Sequence, residues 1–93
     1  MNLNQTVTLS PDVISQEVSG ETVLLDLESE NYFGLDEVGT RVWQLIQVSG
    51  DLENVFNTLL DEYEVSPERL QQDLDKLLTE INGLGLVTLE PRS

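Results

Sequence analysis

Cysteine and histidine are both missing from this 93-residue chain, and lysine and arginine together number only 4. Without thiols there is no disulfide, no cysteine nucleophile and no Cys/His zinc site. Without imidazole the commonest general base at neutral pH is gone. The four cations, Arg41, Arg69, Lys76 and Arg92, are scattered along the chain, whereas a protein that grips nucleic acid gathers such residues to displace phosphate counterions. Apolar runs are short. Val23-Leu24-Leu25 is the longest, far below the roughly 20 residues of a membrane span. The opening Met1-Asn2-Leu3-Asn4-Gln5 has neither the basic nor the apolar region of a secretory signal. These absences argue against an enzyme, against a metal or organic cofactor, and against nucleic acid or membrane as partners. The expectation is a soluble, cytoplasmic protein.

Acid is what the chain has in abundance: 18 Asp+Glu and a formal net charge of −14. High net charge favours disorder. The 39% hydrophobic content and its regular spacing favour folding, and outweigh it. The length suits a single domain over residues 1–93, with an ordered core from about 9 to about 89. A folded chain of this mass exposes roughly 5,400 Å², enough for one small core and no deep private cavern.

The first third of the chain reads as strands. Asp12 to Val18 alternates loosely and ends at the turn signal Ser19-Gly20. Glu21 to Leu27 reads as a central strand, Glu28-Ser29-Glu30-Asn31 as a short polar turn, and Asn31 to Leu35 as a brief third strand interrupted by Gly34. Strands joined by tight turns make an antiparallel meander. Helical spacing begins at Asp36, with Val38, Val42, Trp43, Leu45 and Ile46 on one face and a stop at Ser49-Gly50. Asp51 caps a second helix whose apolar face is Leu52, Val55, Phe56, Leu59, Leu60 and Tyr63. Ser66-Pro67 opens a third, with Leu70, Leu74, Leu77, Leu78, Ile81 and Leu84 in an arc of roughly 120°. Gly83 and Gly85 end it, and Leu86 to Leu89 can add a short terminal strand. The fold class is therefore α+β, winged helix-turn-helix-like: a three-stranded antiparallel sheet followed by three helices.

Most chemical motifs fail on inspection. Asp26, Glu28 and Glu30 alternate as in a calcium loop, but the glycine that such a loop needs at its sixth position is Asn31 here. A solvated hairpin is the better reading. Paired-carboxylate hydrolysis needs two carboxyls facing across a cleft, and a surface this acidic produces neighbouring pairs by chance. An acyl carrier needs a helix-start serine in an Asp-Ser-Leu setting, and Ser66 sits before Pro67 as a cap. The glycines are too dispersed to cradle a phosphate. In a DNA-reading winged helix the third helix would be basic. This one carries Arg69 and Lys76 among Glu68, Asp73, Asp75 and Glu80.

What remains is an edge and a groove. The third predicted strand is apolar for a sheet edge, with Tyr32, Phe33 and Leu35, and its outer backbone groups are unpaired. Two readings stand at this point. The third helix simply covers the strand, or a gap between the two admits an extended peptide as a further strand.

The stretch Tyr32-Phe-Gly-Leu-Asp-Glu-Val-Gly-Thr-Arg-Val-Trp-Gln-Leu-Ile46, preceded by Val23-Leu24-Leu25-Asp26, resembles the PqqD family of RiPP recognition elements. Gly50-Asp51 and Val65-Ser66-Pro67-Glu68 extend the likeness, which spans about Leu9 to Leu89. Such domains bind leader peptides of ribosomally made, modified peptides. As a short chain this one looks most like the discrete recognition proteins of lasso peptide biosynthesis. The resemblance implies strand addition beside Asn31, Tyr32, Phe33, Gly34 and Leu35, with Leu70, Asp73, Leu74 and Leu77 as the facing wall. Leu74 and Asp73, at the centre and margin of the apolar arc, are the strongest candidates. The implied partners are a precursor leader peptide, a transglutaminase-like cysteine protease that removes it, and a macrolactam-forming cyclase. The alternative within the fold is an accessory chaperone of a radical-SAM peptide-modifying enzyme, and a protein-binding winged helix is more distant. A homodimer through the open edge is also an expectation. Leaders of the lasso type are often Lys-rich, so the acidity either steers a basic peptide or only maintains solubility.

Overall fold

The computed structural model describes residues 2–92. Two small antiparallel sheets flank three helices. β2 (Val13–Val18), β3 (Glu21–Asp26) and β4 (Tyr32–Leu35) form the meander in that order. β2 and β3 are joined by Ser19-Gly20, both at positive φ (53° and 82°), the backbone that a two-residue hairpin turn requires. The turn after β3 is organised by Asp26. Its Oδ1 accepts from the Glu28 amide at 3.1 Å and its Oδ2 from Ser29 Oγ at 2.8 Å. Its carbonyl also accepts from the Glu30 amide at 2.8 Å. The alternating acids of this stretch thus belong to a hairpin, with Asp26 buried beneath it.

The helices start where their caps place them. Asp36 Oδ1 accepts from the Gly39 amide at 2.8 Å and opens α1 (Glu37–Val48). Asp51 accepts from the Glu53 amide at 3.2 Å and opens α2 (Leu52–Glu62). Ser66 accepts from the Arg69 amide at 3.2 Å, with Pro67 next, and opens α3 (Pro67–Gly83). Each bond satisfies an amide that the first helical turn leaves without a partner. Gly85, at φ 78°, turns the chain out of α3.

The chain then enters β5 (Val87–Pro91), which pairs antiparallel with β1 (Gln5–Leu9), Val7 opposite Leu89. The terminal strand begins one residue later and runs two residues further than the sequence suggests. Its partner β1 was not assigned from sequence at all. The ribbon is tied to the helices at Gly50, whose carbonyl accepts from the Val7 amide at 2.7 Å. A Cβ on Gly50 would lie 2.2 Å from the Val7 carbonyl oxygen, so only glycine fits. Gly39 is also close-packed, its Cβ position 3.3 Å from Leu35.

Leu24, Leu35, Trp43, Ile46, Leu52, Val55, Leu59, Leu74, Leu78 and Ile81 are among the side chains that close the core. Two expected members lie outside it. Val38 is 42% and Leu84 41% exposed, because the first turn of α1 borders an opening and Leu84 follows the last turn of α3. Arg41 of α1 grips Glu62 of α2 with two bonds, Nε to Oε1 at 2.8 Å and Nη2 to Oε2 at 2.6 Å. Those bonds, aided by the charge of Arg41, hold the Glu62 carboxyl below its ordinary range, against the opposing effect of partial burial. No helix among the described residues is long and apolar enough to cross a membrane.

Candidate functional site

β4 pairs with β3 along one side only, so its other edge carries backbone donors and acceptors with no strand partner among the described residues. Beside that edge lies a cleft of about 490 Å³. Phe33, Gly34 and Leu35 of β4 form one wall, and Leu70, Asp73, Leu74 and Leu77 of α3 the other. The start of α1 supplies the floor through Asp36, Val38, Gly39 and Val42. The sequence dictates this placement step by step. The hairpin register sets Phe33 opposite Leu24 and Leu35 opposite Thr22, and Leu24 and Thr22 are buried. Alternation then turns Phe33 and Leu35 inward, while Tyr32 and Gly34 face outward. Four-residue spacing on α3 aligns Leu70, Leu74 and Leu78 on the buried stripe and leaves Leu77 half-exposed at its margin.

Of the nine residues singled out from sequence, seven therefore border one cleft: Phe33, Gly34, Leu35, Leu70, Asp73, Leu74 and Leu77. The other two stand apart. Asn31 belongs to the preceding turn, where its carbonyl accepts from the Asp26 amide at 2.9 Å. Tyr32 is 76% exposed on the opposite face of the sheet. The floor residues Asp36, Val38 and Val42 were read from sequence as cap and core. The available signal was Val38, an apolar residue in a first helical turn with nothing in sequence to cover it.

The cleft is apolar with carboxylates at its borders. Asp36 already accepts from the Gly39 amide, and Asp73 accepts from Arg69 Nε at 3.2 and 3.3 Å across one turn of α3. Arg69 and Asp73 are both well exposed, so that pair exchanges with solvent ions and holds little energy. The lining contains no hydroxyl, imidazole, thiol or amine. Such a lining suits an extended chain that pairs with the β4 backbone, buries alternate apolar side chains and places a cation near Asp36 or Asp73.

Fold and cleft together define a small α+β domain in which an apolar cleft lies beside the outer edge of a terminal strand, β4. The chain belongs to the PqqD family, described as coenzyme PQQ synthesis protein D, whose profile matches residues 21–87. The likeness to PqqD-like RiPP recognition elements seen in the sequence is thereby borne out. Among solved structures the chain is similar to TbiB1 in complex with the TbiA(β) leader peptide. That match has 32% identity and a TM-score of 0.81, covering 86% of this chain and 93% of that one. It is also similar in fold to a lasso peptide synthetase B1 complexed with the leader peptide. There the identity is 24% and the TM-score 0.73, covering 89% and 98% of the two chains. No curated protein matches the sequence.

Proposed function

We propose that this chain is a non-catalytic adaptor of lasso peptide maturation. It captures the leader of a precursor peptide as a strand added to β4, with α3 as the opposing wall. The single observation that carries this reading is the apolar cleft running beside an unpaired sheet edge. The relatives support it, since both solved structures are complexes with a leader peptide and the first shares 32% identity over most of both chains. That likeness favours the lasso role over an accessory of a radical enzyme. Phe33, Gly34 and Leu35 supply the receiving edge, and Leu70, Leu74 and Leu77 the apolar wall, with Asp73 at its margin. Bond-making belongs to the partners, a cysteine protease that removes the leader and a cyclase that closes the macrolactam, all in the cytoplasm. Without a leader, the same edge is free to pair with a second copy.

The test is titration of a labelled leader from the cognate precursor. Leu74 is 2% exposed, so a charge there endangers the fold itself. Phe33→Asp and Leu77→Glu are better probes because both side chains are only partly buried. Each is expected to weaken leader binding by about tenfold or more, the loss of one buried apolar side chain, with an unchanged circular dichroism spectrum. Normal binding by both folded variants, or no binding by the native chain, sinks the reading.

A further inference from the structure

The outward face of the β2-β3-β4 sheet is not accounted for by peptide capture. An antiparallel sheet packed on one side normally turns polar residues to water on the other. Here the register aligns Ile14, Leu25 and Tyr32 in one row across the three strands, with Gln16, Val23 and Gly34 in the next. Ile14 is 52% and Val23 47% exposed, and with Leu25 and Tyr32 they line a shallow hollow of about 320 Å³. Nothing from the described residues covers it. The opposite face of the same strands buries Thr22, Leu24 and Leu35. The apolar outer face is therefore surplus to the core.

Its charge surroundings are one-sided. Between Asp12 and Leu35 there are six acids (Asp12, Glu17, Glu21, Asp26, Glu28 and Glu30) and no lysine or arginine; the first cation of the chain is Arg41. Asp26 is committed to its turn. Asp12, Glu28 and Glu30 are exposed at one end of the sheet and Glu21 at the other. An apolar patch bounded by uncompensated carboxylates repels a second copy of itself and an anionic membrane alike. It attracts an apolar surface flanked by cations.

We propose that this face is a second docking surface, for a protein partner that presents apolar side chains between Lys and Arg residues. On the functional reading above, which this proposal extends, that partner is an enzyme that acts on the captured peptide. The geometry suits such a role because β4 serves both surfaces. Phe33 faces the cleft and the adjoining Tyr32 faces outward, so a partner seated on the sheet lies one strand away from the bound peptide without occupying its groove.

The experiment uses the full chain with the labelled leader, the purified leader peptidase and the purified cyclase of the same pathway. Ile14→Lys and Val23→Lys replace exposed side chains, so folding is retained, and Glu28→Lys/Glu30→Lys reverses the acidic rim. The expected result is that all three variants bind the leader within about twofold of the native chain, while affinity for one of the two enzymes falls about tenfold or more. The proposal is overturned if native and variant chains bind both enzymes equally, or if the native chain binds neither. It is likewise overturned if sedimentation reveals a dimer that Val23→Lys dissociates, or if the face binds anionic vesicles instead. Failure of the native chain to bind the leader counts against the capture reading alone, since enzyme docking is measured without it.

Discussion

Single side chains in this protein take their roles from which way the backbone turns them. Tyr32, Phe33 and Leu35 are consecutive or alternate apolar residues of similar appearance in sequence, yet one faces solvent, one borders the cleft and one closes the core. Asp26 looks like a metal ligand by spacing and is instead the acceptor that shapes a hairpin turn. Glu62 shows a role legible only in three dimensions, because its partner Arg41 lies 21 residues away. A carboxyl held below its ordinary range stabilises the fold fully above that ordinary value, and the contribution fades as pH falls through the lowered one. Glu62→Gln should therefore lose stability relative to the native chain at neutral pH, and the difference should shrink on acidification below about pH 4. Thermal melts of both chains at a series of pH values check this. A difference that does not vary with pH would show that the pair has no electrostatic part in stability.

At the scale of elements, the helices were legible because their signals are local. Asp36, Asp51 and Ser66-Pro67 each mark a start within a few residues, and each forms the expected cap. The Ser19-Gly20 hairpin was legible for the same reason. The β1-β5 ribbon was not. Gln5 to Leu9 is a plausible strand only when its partner is known, and that partner is more than 80 residues away, Gln5 lying opposite Pro91. The ribbon depends on close backbone approach at Gly50, where no side chain fits. Gly50→Ala should cost about 1–3 kcal/mol, the usual penalty of forcing an extra carbon into a packed site. Urea denaturation reads it as a lower midpoint with an unchanged slope; an unaltered midpoint would mean that the ribbon yields without cost.

The whole molecule is governed by its imbalance of charge. Arg41, Arg69 and Arg92 are each engaged with carboxylates, so most of the acidic surface lacks a local counterion. If that field steers a basic leader, association should slow several-fold between about 50 and about 500 mM salt, with dissociation changing less. Stopped-flow mixing of the labelled leader measures both rates. A salt-independent association rate would show that the charge does not steer the leader.

Sequence by itself determined the helices, the meander, the class of fold and the absence of thiol and imidazole chemistry. Caps, turns and apolar periodicity are written within one or two turns of chain, and atoms that are missing cannot be supplied by folding. Only the tertiary structure decided that α3 stands off from β4 and leaves a cleft. It also decided that Asp36, Val38 and Val42 floor that cleft, and that the far side of the sheet is apolar and uncovered. Each of these depends on the distance between elements and on strand register, which are set by packing residues far apart in the chain.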